Sequence, residues 1–543
     1  MKKIVVLSLM CLLPVSAKEL WLIGGGERVC SSVDLQYCTP EKLNEAKQYF
    51  NAHEALFEKT MQFSREKFDQ LAALKNWAGG ETHQQQVLNA LQALTATLSD
   101  RLWLETDWHR LLKDMPVSED EAQLIDDVFE VRVNDAHGQA KRIHVYLPGS
   151  PLSARQTFDG FVASAQVFAK QKQHQKPQIV IFTASSYNVF EYVDYYLDLF
   201  RQAGTEPFWL PIEPGFIRVD NCRQLDQKRF EMNGAYARAE RFPQWARYQQ
   251  QMCEHPEKLA ALLENADGFF LNGGDQSLTM RSLQRDVGQF TPLAKTFLQK
   301  VNDGVPLAGT SAGTAVQSGR RDGRVPMISD GTTFQALRSG ALAAEINAPL
   351  CPMSQRCNLN VASGQLTYRP LGGLQTFTLG VMDTHFYQRE REGRLLRLLS
   401  DTQTAFGFGV DEATVLRVKF IDDDNADLEV WGEDGVWIAD ARAAETQRTP
   451  RQWQAQHIRV TRLLAGDKAS FRDGVLSAVI CEQKQLKLPD SSIDASAYQD
   501  KDGRQWRREQ GAAISACQRA DGRWRYVNMP ITLQQSLDSE KTK

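Results

Sequence analysis

The residues with the clearest capacity for chemistry lie in the segment Gly309 to Gly313, which reads Gly-Thr-Ser-Ala-Gly. An apolar run leads into this segment, and small residues follow it. The G-x-S-x-G pattern is typical of a nucleophile elbow, in which a sharp strand-to-helix turn exposes the serine hydroxyl beside a helix N-terminus. The pattern predicts that Ser311 is a nucleophile. A Gly-rich turn that only packs a helix closely is the structural alternative.

A nucleophilic serine needs a base, and the base needs a group that orients it. Among nine histidines, we favour His385, because it follows the strand-like run FTLGVMDT and would lie at a strand end next to the strand end of Ser311. A satisfied core histidine is the alternative. Asp383, Asp411 and Glu412 are candidates for the orienting acid, and we favour Glu412, at the end of a third strand-like run. The resulting chain order, Ser, His, acid, disfavours an α/β-hydrolase, whose order is Ser, acid, His.

A basic cluster follows the candidate base in the run DTHFYQREREGRLLRLL. It contains four arginines, with Glu390 and Glu392 between them: Arg389, Arg391, Arg394 and Arg397. One interpretation is a solvated helix face with internal ion pairs. The other is a rim that binds carboxylates, since guanidinium groups bind carboxylates in a bidentate manner. The residues alone leave both open.

These residues must be positioned by a regular framework, and the chain predicts one. Short apolar runs, such as PQIVIF, EPFWLPI, ADGFFLN and VPLAG, alternate with helical segments. This pattern is typical of an α/β fold with a largely parallel sheet and helices on both faces. The functional loops of such a sheet lie at the carboxyl ends of its strands. Both GGDQ and GTSAG are expected there.

The remaining segments predict additions to this framework. Residues 18–449 are expected to form one α/β domain, with a helical insertion over 40–115 and an insertion loop over 320–370. Residues 450–543 are expected to form a C-terminal extension, a small β appendage. Residues 1–17 have the two lysines, apolar stretch and small residues of a secretory signal peptide, so we expect export to the periplasm or the medium.

The cysteines and the composition limit the classes of function that fit this chain. Removal of residues 1–17 leaves eight cysteines, an even number that suggests disulfides in an exported chain. Pairing of sequence neighbours is one of many arrangements: Cys30/Cys38, Cys222/Cys253, Cys351/Cys357 and Cys481/Cys517. No CxxC or HExxH motif is present, so no metal site is predicted. The net charge of −4 does not favour a nucleic-acid partner, and no membrane partner is expected after signal cleavage.

Four motifs in order then resemble one family. They are NGGDQ (272–276), GTSAGT (309–314), DTHFYQREREGRL (383–395) and GVDEAT (409–414). The order resembles that of cyanophycinase, which belongs with dipeptidase E among serine peptidases of the class I glutamine-amidotransferase-like, flavodoxin-like fold. The run LWLIGGGE resembles the first strand of that family. The resemblance covers about Leu20 to Asp440, apart from the two insertions.

The resemblance implies a role for each matching residue. Ser311 would be the nucleophile, His385 the base and Glu412 the orienting acid, and no cofactor is required. Backbone amides at Gly274 and Ala312 would form the oxyanion hole. The substrate pocket would contain six further residues: Gln276, Asp383, Thr384, Arg389, Arg391 and Arg394.

The resemblance also implies a substrate and partners. The family cuts multi-L-arginyl-poly-L-aspartate, cyanophycin, from its end into β-Asp-Arg dipeptides, and its members often form dimers. We therefore expect a secreted serine exopeptidase with a polypeptide partner, and a homodimer. Thr384 stands where cyanophycinases usually have Gln, so a peptidase for other aspartyl or isoaspartyl peptides is the first alternative. An inactive exported binding protein is the second.

Overall fold

The computed structural model describes residues 17–74, 80–94, 101–344, 361–362, 364–449, 452–480, 497–499, 504–508 and 515–536. The predicted signal peptide lies almost entirely outside these ranges. None of the helices within them combines the length and the apolar character needed to cross a bilayer.

Five parallel strands form one half of a nine-stranded central sheet. They are β1 (Glu19–Ile23), β2 (Gln178–Phe182), β3 (Glu206–Leu210), β4 (Gly268–Leu271) and β5 (Leu307–Thr310), and their order is β1-β5-β4-β2-β3. Four antiparallel strands continue the sheet beyond β1, in the order Thr414–Asp422, Asn425–Gly432, Lys468–Arg472 and Val475–Ala478. The predicted α/β class with a parallel sheet is therefore confirmed, although four of the nine strands of this sheet are antiparallel.

Helices cover both faces of the central sheet because successive side chains of its strands point to opposite sides. Trp21 packs among residues of the helices Leu152–Lys172 and Val193–Gln202 on one face. Leu20 and Leu22 pack among residues of Pro256–Asn265 and Pro292–Asn302 on the other. Further helices are Leu225–Asn233, Arg238–Arg241, Pro243–Glu254, Gln276–Leu283, Ala312–Ala315, Thr333–Ser339 and Glu392–Thr402.

The strand before His385 lies in a second sheet, which differs from the expectation of a single sheet. β6 (Val381–Thr384) pairs in parallel with β7 (Phe406–Val410), and β7 pairs antiparallel with Gly435–Asp440. The described strands that follow in this sheet are Glu445–Thr449, Gln452–Leu464, Ala497–Gln499, Arg504–Arg508, Ser515–Gln518 and Trp524–Ser536. The expectation that Ser311 and His385 follow neighbouring strands was therefore wrong; the ends of two sheets bring them together.

The predicted helical insertion contains helices together with a small three-stranded sheet. Its helices are Leu43–Ala52, Arg65–Ala73, Gly80–Ala93 and Glu105–Leu112, and Glu119–Phe129 follows them. The small sheet joins Leu102–Leu104, Thr60–Gln62 and Glu130–Val131. Three strands from the described part of 320–370 form another sheet, in which Met327–Asp330 and Ala341–Ala343 flank Leu366–Arg369.

Two of the predicted disulfides are formed, Cys30–Cys38 and Cys222–Cys253. Cys517 is also disulfide-bonded, but its predicted partner Cys481 lies outside the described residues. Cys351 and Cys357 lie outside them as well. The described strands after Pro450 extend the two core sheets by direct pairing.

Candidate active site

Ser311 lies in a sharp turn between β5 and the helix Ala312–Ala315. Its backbone has φ 51° and ψ −114°, and its N–H donates to the carbonyl oxygen of Ile23 on β1 at 3.0 Å. The flanking glycines are required by space. A Cβ at Gly309 would lie 2.1 Å from the carbonyl oxygen of Gly313, and one at Gly313 would lie 2.3 Å from that of Leu271. The G-x-S-x-G segment thus has the geometry of a nucleophile elbow.

His385 and Glu412 complete a chain of hydrogen bonds that starts at the serine hydroxyl. Ser311 Oγ lies 2.8 Å from His385 Nε2, and His385 Nδ1 lies 2.6 Å from Glu412 Oε1. Of the three candidate acids, Glu412 is therefore the one in contact with the imidazole. Asp411 instead accepts from the backbone N–H of Tyr387 at 3.0 Å.

The Gly-rich turn after β1 holds the histidine and the glutamate in place, a role that the sequence analysis did not assign. The N–H of His385 donates to the carbonyl oxygen of Gly24 at 2.7 Å. A Cβ at Gly25 would lie 2.3 Å from His385 Cε1, and one at Gly26 would lie 3.1 Å from Glu412 Oε2. Three glycines after an apolar strand were the available signal, but their target is distant in sequence.

The surroundings of His385 favour a neutral imidazole. Burial lowers the pKa of His385, and the positive charges of Arg389 and Arg391 lower it further. The hydrogen bond to Glu412 opposes these effects without outweighing them, so the pKa lies below its ordinary value. A neutral imidazole can accept the proton of the serine hydroxyl, as a general base must.

A cavity of about 640 Å³ opens beside Ser311 at the carboxyl ends of the strands. The predicted oxyanion and pocket residues all line it: Gly274, Ala312, Gln276, Asp383, Thr384, Arg389, Arg391 and Arg394. The loop after β4 also approaches the nucleophile, since a Cβ at Gly273 would lie 3.3 Å from Ser311 Cβ. Gly274 has φ 134°, and a Cβ there would lie 2.1 Å from the carbonyl oxygen of Ser185. The oxyanion role of Gly274 and Ala312 stays a prediction.

The interpretation as a solvated helix face was wrong in one respect, because Arg394 and Arg397 are buried; its internal ion pairs are present. Arg394 Nε and Nη2 donate to the Asp383 carboxylate at 2.8 and 2.5 Å, and Arg391 lies 3.4 Å from it. Arg397 donates to Asp401, away from the cavity. Arg389 also lines the cavity but forms no ion pair with any residue that the structure describes. Internal pairing thus accounts for three of the arginines, and Arg389 remains able to bind a carboxylate.

Burial and neighbouring charges shift the pKa values of Asp383 and Arg391, which line the cavity. Burial would raise the pKa of the Asp383 carboxyl, but attraction to Arg394 outweighs it and holds the pKa below its ordinary value. Burial, together with repulsion from Arg394, lowers the pKa of Arg391 to about 9. Asp383 is therefore a charged anchor for the two guanidinium groups at neutral pH.

Gln276 and Thr384 are engaged with the backbone. Gln276 Nε2 donates to the carbonyl oxygens of Ile328 and Ser329 at 2.8 and 2.5 Å, which ties the 320–370 segment to the cavity. The carbonyl oxygen of Thr384 accepts from Arg391 at 2.7 Å. Both residues lie in the predicted pocket, and these contacts show how they shape its wall.

A further part of the cavity lining was not predicted from the sequence. Its acidic and aromatic lining residues are Glu27, Asp34, Tyr187, Glu191, Tyr192, Tyr195 and Tyr196. The tyrosines of the run NVFEYVDYYLDLF were the available signal in the sequence. Only the structure shows that these tyrosines line the cavity, because their position depends on β1 and β2 belonging to one sheet.

The fold and the site together define a class, an α/β protein whose strand ends bring a serine, a histidine and a carboxylate into the arrangement used by serine hydrolases. Residues 249–338, which include Ser311, match the sequence model of Peptidase family S51. The resemblance to the cyanophycinase and dipeptidase E peptidases is confirmed by this match and by the relatives below. The match is to a peptidase family, as the prediction of a peptidase-type enzyme requires.

Similar proteins are known from cyanobacteria. The chain is 28% identical over 193 residues to a cyanophycinase of Trichormus variabilis, which covers 35% of this chain and 51% of the relative. It is 31% identical over 182 residues to a cyanophycinase of Geminocystis herdmanii, which covers 33% and 52%. The chain thus spans about half the length of the curated relatives it matches. A crystal structure of a peptidase from an acI-B1 Actinobacterium aligns with 60% of this chain and 92% of its own, at 17% identity and a TM-score of 0.31.

Proposed function

We propose that this protein is a secreted serine exopeptidase that hydrolyses cyanophycin to β-Asp-Arg dipeptides. One observation carries the proposal: the continuous chain from Ser311 Oγ through His385 to Glu412, beside a cavity with charged walls. A serine hydroxyl in contact with a neutral, carboxylate-bound imidazole is the requirement for acyl transfer. A binding protein has no need of this arrangement.

The residues support a two-step mechanism. His385 Nε2 takes the proton of Ser311 Oγ as that oxygen bonds to the scissile carbonyl carbon, and the oxyanion is stabilised by backbone amides at Gly274 and Ala312. His385 then gives the proton to the leaving amine as the C–N bond breaks, which leaves an ester on Ser311. Water repeats the sequence, with His385 as its base, and releases the acid product. Glu412 holds the imidazole in the required tautomer throughout.

The substrate follows from the relatives and from the charge of the cavity. The curated relatives are cyanophycinases, and the guanidinium of Arg389, which pairs with no residue in the described ranges, suits an aspartyl carboxylate. A second candidate, a peptidase for other aspartyl or isoaspartyl peptides, is favoured by the segment Ile328–Asp330, which lines the cavity. This segment belongs to the 320–370 insertion, and with Thr384 it would set a different specificity.

Export, assembly and the finer fold are part of the proposal. The formed disulfides suit an oxidising compartment, in agreement with the expected signal peptide. The class I glutamine-amidotransferase-like, flavodoxin-like topology and the homodimer both stay predictions from the family resemblance. The polypeptide substrate is the partner that the cavity would bind.

The test adds the oxidised protein to insoluble cyanophycin and measures β-Asp-Arg by mass spectrometry. We expect dipeptide from the wild type and from the control Ser339→Ala, which changes an exposed serine outside the cavity, but none from Ser311→Ala. Turnover by Ser311→Ala near the wild-type rate would refute the mechanism. Labelling of Ser311 by a fluorophosphonate without dipeptide release would favour the second candidate. Failure to label Ser311, with ligand binding retained, would indicate an inactive binding protein.

A further inference from the structure

One end of the active-site cavity, on the side of β1, is lined by carboxylates and phenols. We call it the acidic end and define it by five lining residues: Glu27, Asp34, Tyr192, Tyr195 and Tyr196. Glu27 directly follows the Gly-rich turn that contacts His385 and Glu412. Asp34 lies in the loop closed by the Cys30–Cys38 disulfide. The acidic end is therefore fixed in position next to the reacting groups.

The carboxylates of the acidic end are not neutralised by the protein. Neither Glu27 nor Asp34 forms an ion pair with a Lys, Arg or His within the described ranges. Glu27 instead contacts a neutral group, since Tyr196 Oη donates to Glu27 Oε1 at 3.4 Å. Glu191 on the same wall differs, because Lys59 pairs with it. Two partly buried carboxylates thus face the cavity without a cation.

Tyr195 supplies an independent sign of a ligand. Its side chain is buried, with 8% of the residue exposed, and it lines the cavity. Its ring packs against those of Tyr192 and Tyr196, with centroid distances of 6.3 and 5.0 Å. Its hydroxyl has no hydrogen-bond partner among the described residues. The oxygen is not among the fully buried polar atoms that lack a partner, so it is open to the cavity, where a ligand can supply the hydrogen bond that the described residues do not.

The chemistry of these groups selects one kind of ligand. Carboxylates form their strongest hydrogen bonds with guanidinium and ammonium donors, and a phenol oxygen can accept a further bond. The faces of tyrosine rings also attract cations. An anion or an apolar group would leave both carboxylates without compensation. Arg389, on another part of the same cavity, would repel a cation, so a cation is directed to the acidic end.

We propose that the acidic end is a subsite for the cationic side chain of the substrate, a guanidinium or an ammonium group. The inference rests on the proposed function, because it assigns a second contact to a substrate that Ser311 attacks. Glu27 and Asp34 bind the charge, and Tyr195 accepts one hydrogen bond from it. A residue with a cationic side chain and a carboxylate would then contact both the acidic end and Arg389.

The test measures binding without turnover. Isothermal titration calorimetry on the Ser311→Ala protein compares the N-acetyl methylamides of L-arginine, L-lysine and L-citrulline, of which the last is neutral and nearly isosteric with arginine. We expect the cationic compounds to bind at least about tenfold more tightly than the citrulline compound, the size expected for hydrogen bonds to charged groups. Tighter binding of arginine than lysine identifies a guanidinium subsite, and the reverse identifies an ammonium subsite.

Variants locate the site. Adding Glu27→Gln or Asp34→Asn to Ser311→Ala should reduce the preference for the cationic compounds. The control Glu41→Gln, an exposed carboxylate outside the cavity, should leave it unchanged. Equal binding of the three compounds, or a preference that survives both Glu27→Gln and Asp34→Asn in folded proteins, would overturn the inference. Loss of turnover would not overturn the inference, because the experiment measures binding alone. A failure of the proposed function is seen in other measurements, as cyanophycin hydrolysis by Ser311→Ala or as a Ser311 that does not react with a fluorophosphonate.

Discussion

Three residues of the candidate site have backbone conformations that L-amino acids seldom adopt. Ser311 has φ 51°, His385 has φ 48°, and Ala413, next to Glu412, has φ 51°. Each such residue costs of order 1 kcal/mol or more, and strain of this kind clusters at functional sites. Here it follows from the turns that aim the serine, the imidazole and the carboxylate at one another. The alignment of the three catalytic side chains thus comes with local backbone strain, which lowers the stability of the fold.

At the residue scale, the low pKa of His385 predicts the acid limb of the reaction. Protonation removes the acceptor for the Ser311 proton, so labelling of Ser311 by a fluorophosphonate should rise with pH through the pKa of His385. Burial and the positive charges nearby lower that pKa, so half-maximal labelling is expected below pH 6.5, the ordinary value. Arg389→Gln removes one of these charges and should move the midpoint upward.

The control is Arg285→Gln, which removes an exposed arginine outside the cavity and should leave the midpoint unchanged. The labelling rate needs no substrate, so a change in substrate binding does not affect the measurement. A midpoint above pH 6.5, or one that Arg389→Gln lowers, would contradict this account of the electrostatics.

At the scale of elements, the turn after β1 is predicted to align the histidine. Gly25→Ala would place a Cβ 2.3 Å from His385 Cε1 at a φ of 100°. The imidazole must move, and a misplacement of about 1 Å costs about a hundredfold in rate. We therefore expect fluorophosphonate labelling of Ser311 to fall by about a hundredfold or more in Gly25→Ala.

Gly138→Ala provides a matched control for backbone strain. Gly138 also has a left-handed φ, 75°, but a Cβ there meets no atom within 4 Å. Alanine in this region costs about 1 kcal/mol in stability, so Gly138→Ala should be less stable yet labelled at the wild-type rate. Equal labelling of the two variants would show that the Gly-rich turn does not position His385.

At the scale of the whole molecule, a half-buried ion pair joins the helical insertion to the cavity wall. Lys59 of the insertion pairs with Glu191 and lies 3.5 Å from Glu105. Burial would lower the pKa of Lys59, but the two carboxylates outweigh it and raise the pKa. Lys59→Met leaves Glu191 without its partner and is expected to lower the free energy of unfolding by about 1–3 kcal/mol, measured by urea denaturation.

The double variant Lys59→Met with Glu191→Gln should recover part of this loss, because no unpaired charge remains. Lys42→Met serves as the control, since Lys42 pairs with Glu45 on the exposed surface and should change stability little. Wild-type stability of Lys59→Met would mean that the insertion is held to the core by other contacts, such as the hydrogen bond from the Leu56 N–H to the carbonyl oxygen of Arg142 at 2.7 Å.

Much of the fold could be predicted from the sequence because its signals are local. Apolar runs of four to five residues, such as those before Gly24 and Gly309, fixed the parallel strands and the edge where the loops meet. The second sheet could not be predicted in this way. Its pairings, such as β6 with β7 and Gly435–Asp440 with Gln452–Leu464, depend on strand register, which periodicity does not specify.

The sequence by itself determined which residues are suited to chemistry. The elbow around Ser311 is encoded by neighbouring glycines, because its steric requirement acts within five residues. Only the tertiary structure decided which acid contacts His385, since Asp383, Asp411 and Glu412 all follow strand-like runs. It also decided that three glycines near the start of the chain hold a histidine more than 350 positions later, and that Glu27 shares a cavity with Arg389. Such contacts depend on the packing of strand ends from two sheets, and no local pattern in the chain records that packing.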